Sequence, residues 1–139
     1  YPDLVFHIFG KISLLQKFVM NSYKNVEVHG PVSSLKSVFR NSVCGICNVK
    51  IATGFQNKIP TYMSYGIPAV VSKDSFSKKF FKNNKDIIVF SNNDNLIKMI
   101  FRLVEEKKLA NKISRNSLST IKKKLNISKI YLKYQKIVK

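Results

Sequence analysis

The sequence predicts an α/β protein with a Rossmann-like parallel sheet that carries helices on both faces. Short apolar runs alternate with longer segments of helical periodicity along the whole chain. Glycine and proline punctuate the junctions, as at Gly30-Pro31 and Gly66-Ile67-Pro68. Alternation of this kind is typical of parallel strands joined by crossover helices. We therefore expect residues 1–139 to form one domain.

The apolar runs and the helical patterns set the predicted elements. The predicted strands cover residues 4–9, 25–29, 43–48, 68–72 and 86–90. The predicted helices cover residues 12–21, 33–40 and 56–65, and further helices follow from about residue 94. The helix after Asn93 has an apolar stripe with helical spacing, formed by Leu96, Ile97, Ile100, Phe101 and Val104. This spacing predicts an amphipathic helix whose dipole is complemented by Asp94 in its first turn and Lys107-Lys108 near its end.

Residues 53–72 hold the most informative pattern in the chain. Gly54 precedes a predicted amphipathic helix, and Lys58 lies in the first turn of that helix. Gly66 ends the helix, and Pro68 prevents its continuation before a buried strand. A glycine loop that leads into a helix N-terminus favours an anion, because free N–H groups and the positive end of the helix dipole lie there. The segment therefore predicts a phosphate-binding loop.

These residues resemble a segment of the GT-B glycosyltransferases of family 4, in the lobe that binds the sugar donor. The positions that agree with the family pattern are Gly54, Phe55, Asn57, Lys58, Ile59, Tyr62, Met63, Gly66, Pro68 and Val70. The family has two glutamates that this chain lacks. The first, which contacts the donor sugar, is replaced by Thr53, and the second, which usually contacts the ribose, is replaced by Thr61. A neutral hydroxyl still forms hydrogen bonds with a sugar.

The resemblance implies a C-terminal, nucleotide-sugar-binding lobe that helps to transfer a hexose from an NDP-sugar. It places the donor site at Gly30, Pro31, Val32, Thr53, Gly54, Phe55, Gln56, Asn57, Lys58 and Thr61. It implies no cofactor and no metal ion, since Lys58 and helix N–H groups would balance the charge of the diphosphate. It assigns no catalytic residue within this chain.

The resemblance also sets expectations about the parent protein. The family's donor lobe opens with an earlier strand and a lysine that have no counterpart before Tyr1, so we expect a fragment with an N-terminal acceptor lobe upstream. Such a fragment should be inactive alone. The implied context is bacterial surface polysaccharide synthesis, such as capsule or lipopolysaccharide. We expect a cytoplasmic protein, with peripheral binding at the inner face of the membrane as a further expectation.

The chain has a formal charge of +18, from 25 basic and 7 acidic residues. This charge suits a nucleotide phosphate, an anionic membrane surface or nucleic acid. The excess is mostly lysine and occurs with abundant asparagine and isoleucine, as an AT-rich gene would produce. Two alternatives to an active transferase stay open, namely a non-catalytic basic module that binds nucleic acid and a degenerate glycosyltransferase. Nucleic acid is the less expected partner, because interleaved arginines and aromatics are sparse.

The cysteines and histidines are interpreted as structural. Cys44 and Cys47 have redox-motif spacing, but their flanks predict a buried strand, on which they would point to opposite faces. His7 and His29 lie alone on separate predicted strands. We expect His7 to be a core residue, whereas His29 adjoins the Gly30 turn and is less clear.

Overall fold

A computed structural model describes residues 1–50 and 56–124. The chain divides into two compact units, Tyr1–Val38 and Phe39–Lys139. The short helix α2 (Leu35–Phe39) spans the boundary between them. Each unit is described by itself, and the single domain expected over residues 1–139 stays a prediction.

The first unit contains two parallel strands and one helix. Strand β1 (Phe6–Ile8) pairs with β2 (Val26–Val28), and helix α1 (Leu14–Asn21) connects them. Ser13 caps α1 through a capping box with Gln16, which satisfies two backbone N–H groups at the helix start. At its other end, the Asn21 side chain accepts a hydrogen bond from the backbone N–H of Val28 at 3.0 Å. The Asn21 hydrogen bond therefore joins the end of α1 to β2.

The second unit is built around a three-stranded parallel sheet. Its strands are β3 (Gly45–Cys47), β4 (Ala69–Ser72) and β5 (Ile88–Phe90), in the order β3-β4-β5. All four residues of the central strand β4 are buried. Burial on both faces explains why Ala69, Val70 and Val71 follow one another without polar alternation.

Helices cover both faces of this sheet. They are α3 (Lys58–Ser64), α4 (Asn93–Glu105) and α5 (Lys107–Lys124). On one face, residues of α3 such as Ile59 and Met63 pack with Val71. On the other face, Leu103 of α4 and Ile113 of α5 pack with Val70. No helix in the described part of the chain is both long and apolar enough to cross a bilayer.

The predicted α/β fold class is confirmed, and every strand and helix predicted before residue 93 occurs within two residues of its expected bounds. Gly66 has a φ of +72°, as the predicted helix stop requires. The helix predicted after Asn93 is present as α4, but two residues of its apolar stripe are exposed, Ile97 at 49% and Phe101 at 37%. The helix contacts the core through Leu96 of the stripe and through Met99 and Leu103, which lie outside it. Apolar residues occur on more than one face of α4, so their spacing alone does not indicate which face is buried.

One packing contact in the second unit has no counterpart among the predictions. The Tyr62 ring of α3 lies against the backbone of Gly45, where a Cβ atom would overlap it. The Tyr62 hydroxyl donates a hydrogen bond to the carbonyl of Ile46 at 3.2 Å. Phe39 contacts the same ring edge-on, with 5.6 Å between centroids. Gly45 therefore allows α3 to approach the sheet closely.

Candidate functional site

The candidate site of the second unit lies where β3 and β4 end and α3 begins. In an open parallel sheet, ligands bind beyond the carboxyl ends of the strands. Here β3 ends at Cys47, β4 ends at Ser72, and α3 starts at Lys58. Burial raises the pKa of the Cys47 thiol, and the nearby charge of Lys58 is one of two effects that oppose this rise. This places a positive charge beside the end of β3.

Two buried serines hold the chain as it leaves β3. The backbone N–H of Val49 donates to the hydroxyl of Ser75 at 3.3 Å, and the hydroxyl of Ser72 donates to the Val49 carbonyl at 3.2 Å. The two hydroxyls lie 2.8 Å apart. Both backbone groups of Val49 are thus satisfied by side chains from the end of β4. This role of the two serines was not predicted, because their contacts join Val49 to residues more than twenty positions later in the chain.

The first turn of α3 has fewer free N–H donors than a typical helix start. Ile59 already donates its backbone N–H to the carbonyl of Gln56 at 3.0 Å, and Pro60 has no N–H. Asn57 at the N-cap makes no side-chain capping bond. Proline is tolerated here because it lies in the first turn. The exposed Lys58 side chain therefore provides the full positive charge at this helix start, and its role in binding an anion stays a prediction.

Thr61, which replaces a family glutamate, forms a hydrogen bond within its own helix. Its hydroxyl donates to the carbonyl of Asn57 at 2.7 Å. This bond uses the single hydroxyl proton and leaves the oxygen lone pairs available as acceptors. Thr61 therefore resembles the missing carboxylate in accepting hydrogen bonds, but it brings no negative charge.

The predicted donor-site residues fall into three groups. The structure brings Gln56, Asn57, Lys58 and Thr61 together at the start of α3. Gly30, Pro31 and Val32 follow β2 in the first unit and are exposed. The remaining three lie outside the described residues, namely Thr53, Gly54 and Phe55. The donor-binding role of the whole set stays a prediction.

Both cysteines are free, and they lie on opposite faces of the sheet as expected. Cys47 belongs to the core that contains α3, whereas Cys44 packs against the core that contains α4. Burial raises the pKa of the Cys44 thiol to about 12. Burial also raises the pKa of Cys47, although a hydrogen bond with Ser75 and the charge of Lys58 oppose this. Thiols with raised pKa values are poor nucleophiles at neutral pH.

The interpretation of the histidines was wrong. His7 is exposed rather than in the core, and its Nδ1 atom lies 3.0 Å from Nε2 of His29. The sequence separation of 22 residues concealed this proximity. Parallel pairing of β1 with β2 brings the two rings together with Glu27 on one face of the first unit.

The fold is shared with solved glycosyltransferases at low sequence identity. HepE from Anabaena, solved with UDP, superposes with a TM-score of 0.86 at 12% identity over 99% of this chain. The C-terminal domain of the group 1 glycosyl transferase LpcC from Francisella tularensis gives 0.76 at 15% identity over 91% of this chain. TarM from S. aureus gives 0.80 at 19% identity over 95% of this chain. No curated protein matches.

The chain corresponds to only part of each of these solved proteins. The chain spans 41% of HepE, 28% of TarM and 72% of the LpcC domain. At these identities the likeness establishes the fold, which is that of a lobe of a GT-B glycosyltransferase. The family model described as "Glycosyl transferases group 1" matches residues 1–106, which is most of the chain. The chain therefore belongs to the group 1 glycosyl transferases.

Proposed function

We propose that this chain is the nucleotide-sugar-binding lobe of an enzyme that transfers a hexose from an NDP-sugar to a glycan or lipid-linked acceptor. The family match over residues 1–106 carries the proposal. HepE, which shares the fold over nearly all of this chain, has been solved with UDP and with UDP-glucose. A uridine nucleotide is therefore the first ligand to test.

The geometry of the second unit supports a diphosphate at the start of α3. Lys58 is exposed beside the carboxyl end of β3, where the sheet topology favours ligand binding. Lys50 and Lys73 are also exposed and follow the ends of β3 and β4. Three cations at one edge of a sheet would balance the charge that develops on a leaving diphosphate. The supporting serines Ser72 and Ser75 would keep this edge rigid.

The remaining parts of the proposal concern the whole protein. We propose that an N-terminal lobe of the parent chain binds the acceptor and supplies the catalytic groups, and that this lobe does not turn over alone. We place the enzyme in the synthesis of bacterial surface polysaccharide, in the cytoplasm at the inner face of the membrane. Exposed lysines support this placement, because anionic lipids attract them by roughly 1 kcal/mol each.

A second candidate function is that of a degenerate glycosyltransferase. The observation in its favour is Thr61, whose hydroxyl proton is already donated to the helix. A lobe without the family carboxylate would bind the ribose more weakly, because hydrogen bonds to charged groups are the stronger ones. Thr61→Glu restores the charge and should tighten UDP binding about threefold to tenfold if the ribose lies there.

Calorimetric titration of the chain with UDP and UDP-glucose tests the proposed function. We expect saturable binding of one nucleotide per chain, with glucose alone as a non-binding control. Parallel titrations with GDP and ADP establish the preferred base. If none of these nucleotides binds, either to this chain or to the parent protein, the nucleotide-sugar proposal is wrong. If the parent protein binds UDP but transfers no sugar, the degenerate enzyme is the better account.

A further inference from the structure

Three side chains with metal-binding atoms meet on one face of the two-stranded sheet in the first unit. The parallel register places His7 opposite Glu27. Glu27 and His29 are two residues apart, so their side chains share a face. The backbone N–H of His29 donates to the carbonyl of Ile8 at 2.8 Å, which extends the strand pairing by one residue. The sheet itself therefore brings the three side chains together.

Their ligand atoms form a compact triangle. Nδ1 of His7 lies 3.0 Å from Nε2 of His29 and 3.3 Å from Oε2 of Glu27. Nε2 of His29 lies 3.6 Å from the same carboxylate oxygen. A tetrahedral zinc ion with ligands at about 2.05 Å holds them about 3.3 Å apart, so the three distances bracket the separation that zinc needs.

A neighbouring aromatic ring supports one of the two imidazoles. Phe9 stacks on His29 with 4.5 Å between centroids and 11° between ring planes. Stacking of this kind limits rotation of the imidazole and keeps Nε2 directed at the triangle. The side chains of His7, Glu27 and His29 are 46%, 56% and 37% exposed, so an ion can enter from solvent.

We propose that His7, Glu27 and His29 form a site for a zinc-like transition-metal ion. Two imidazole nitrogens and one carboxylate oxygen suit zinc and its neighbours in the first row, whereas magnesium and calcium prefer all-oxygen sites. Three protein ligands leave a fourth position for water or an external ligand, as in open zinc sites. The proposal does not rest on the proposed donor site, because none of the three ligands belongs to that set of residues, although Gly30 of the set follows His29 directly.

A hydrogen-bonded arrangement of the three side chains, without a metal ion, would have the same geometry. The two imidazoles would then share a hydrogen bond, and the Glu27 carboxylate would lie beside both rings. The two explanations differ in what the chain binds. A metal site binds one ion per chain through defined ligands. A hydrogen-bonded triad binds no metal ion at a fixed ratio.

Titration of metal-free protein with Zn²⁺ and Co²⁺ distinguishes these explanations. We expect one ion per chain, and the Co²⁺ complex should show the visible absorption of a tetrahedral site without a thiolate charge-transfer band. Glu27→Gln, His7→Asn and His29→Asn should each weaken binding at least tenfold, since even residues that only support a ligand cost about that much. Asp74→Asn, at an exposed carboxylate of the second unit, should leave binding unchanged.

Circular dichroism of each variant serves as the folding control. All three substitutions are at the surface, and Glu27→Gln keeps the size of the side chain. The proposal is overturned if Zn²⁺ does not bind at one ion per chain. It is equally overturned if binding survives all three substitutions, or if the Co²⁺ spectrum shows thiolate ligation by Cys44 or Cys47.

Discussion

Replacing Lys58 by alanine should weaken nucleotide binding without weakening the fold. The side chain is exposed and lies in the first turn of α3, beside the end of β3. A charge-assisted contact with phosphate contributes roughly 1.5 to 3 kcal/mol. Solvent and salt screen an exposed ammonium group, so we expect the lower end of that range, which corresponds to about a tenfold increase in Kd.

Lys58→Ala should slightly stabilise the fold, although it weakens nucleotide binding. A cation near a helix N-terminus opposes the helix dipole, so its removal should raise the free energy of unfolding by a few tenths of a kcal/mol. Calorimetric titration with UDP gives the affinity, and urea unfolding gives the stability. Lys58→Arg keeps the charge and should keep most of the affinity. Lys98→Ala removes an exposed lysine from α4, on the other face of the sheet, and is the matched control. If Lys58→Ala and wild type bind UDP with equal affinity, Lys58 does not contribute to the nucleotide site.

The other predictions test packing, titration and surface charge. Gly45→Ala should lower the free energy of unfolding by about 1 to 3 kcal/mol, because the new methyl group overlaps the Tyr62 ring; an unchanged urea midpoint would refute this contact. Stability should also fall as pH rises from about 9 to about 12. Cys44 and Tyr62 have folded pKa values raised to about 12, so they lose their protons first in the unfolded chain. A flat stability profile over that range would show that the two groups are not buried. In vesicle co-sedimentation, the chain should pellet with anionic lipids at low salt and be released at physiological salt, and equal pelleting with neutral vesicles would exclude an electrostatic attraction.

The order and type of the elements were predictable from the sequence because local signals agreed with the final packing. Gly66 and Pro68 stop α3 and start β4 through backbone geometry alone, which a sequence displays directly. The continuous apolar run of β4 reflects burial on both faces. The α4 stripe was harder, since Ile97 and Phe101 are apolar but exposed. Apolar periodicity indicates a helix more reliably than it indicates which face is buried.

Features that depend on pairing across the chain were not predictable in the same way. His7 and His29 meet only because β1 and β2 pair in one particular register. Ser72 and Ser75 act on Val49, which precedes them by more than twenty residues. Neither the register of two strands nor a hydrogen bond between distant residues produces a local pattern in the sequence. The helix start at Lys58 could be predicted because the signals for it are contiguous in sequence, and its role in binding an anion stays a prediction.

The central claim is that the lobe holds a nucleoside diphosphate beside Lys58. Titration of the ¹⁵N-labelled chain with UDP, followed by amide chemical shifts, tests it most directly at 16.0 kDa. The account predicts saturable shifts that include the amides of Lys50, Lys58 and Lys73, at the ends of β3 and β4 and the start of α3. Shifts that spare all three amides at saturating UDP would contradict it.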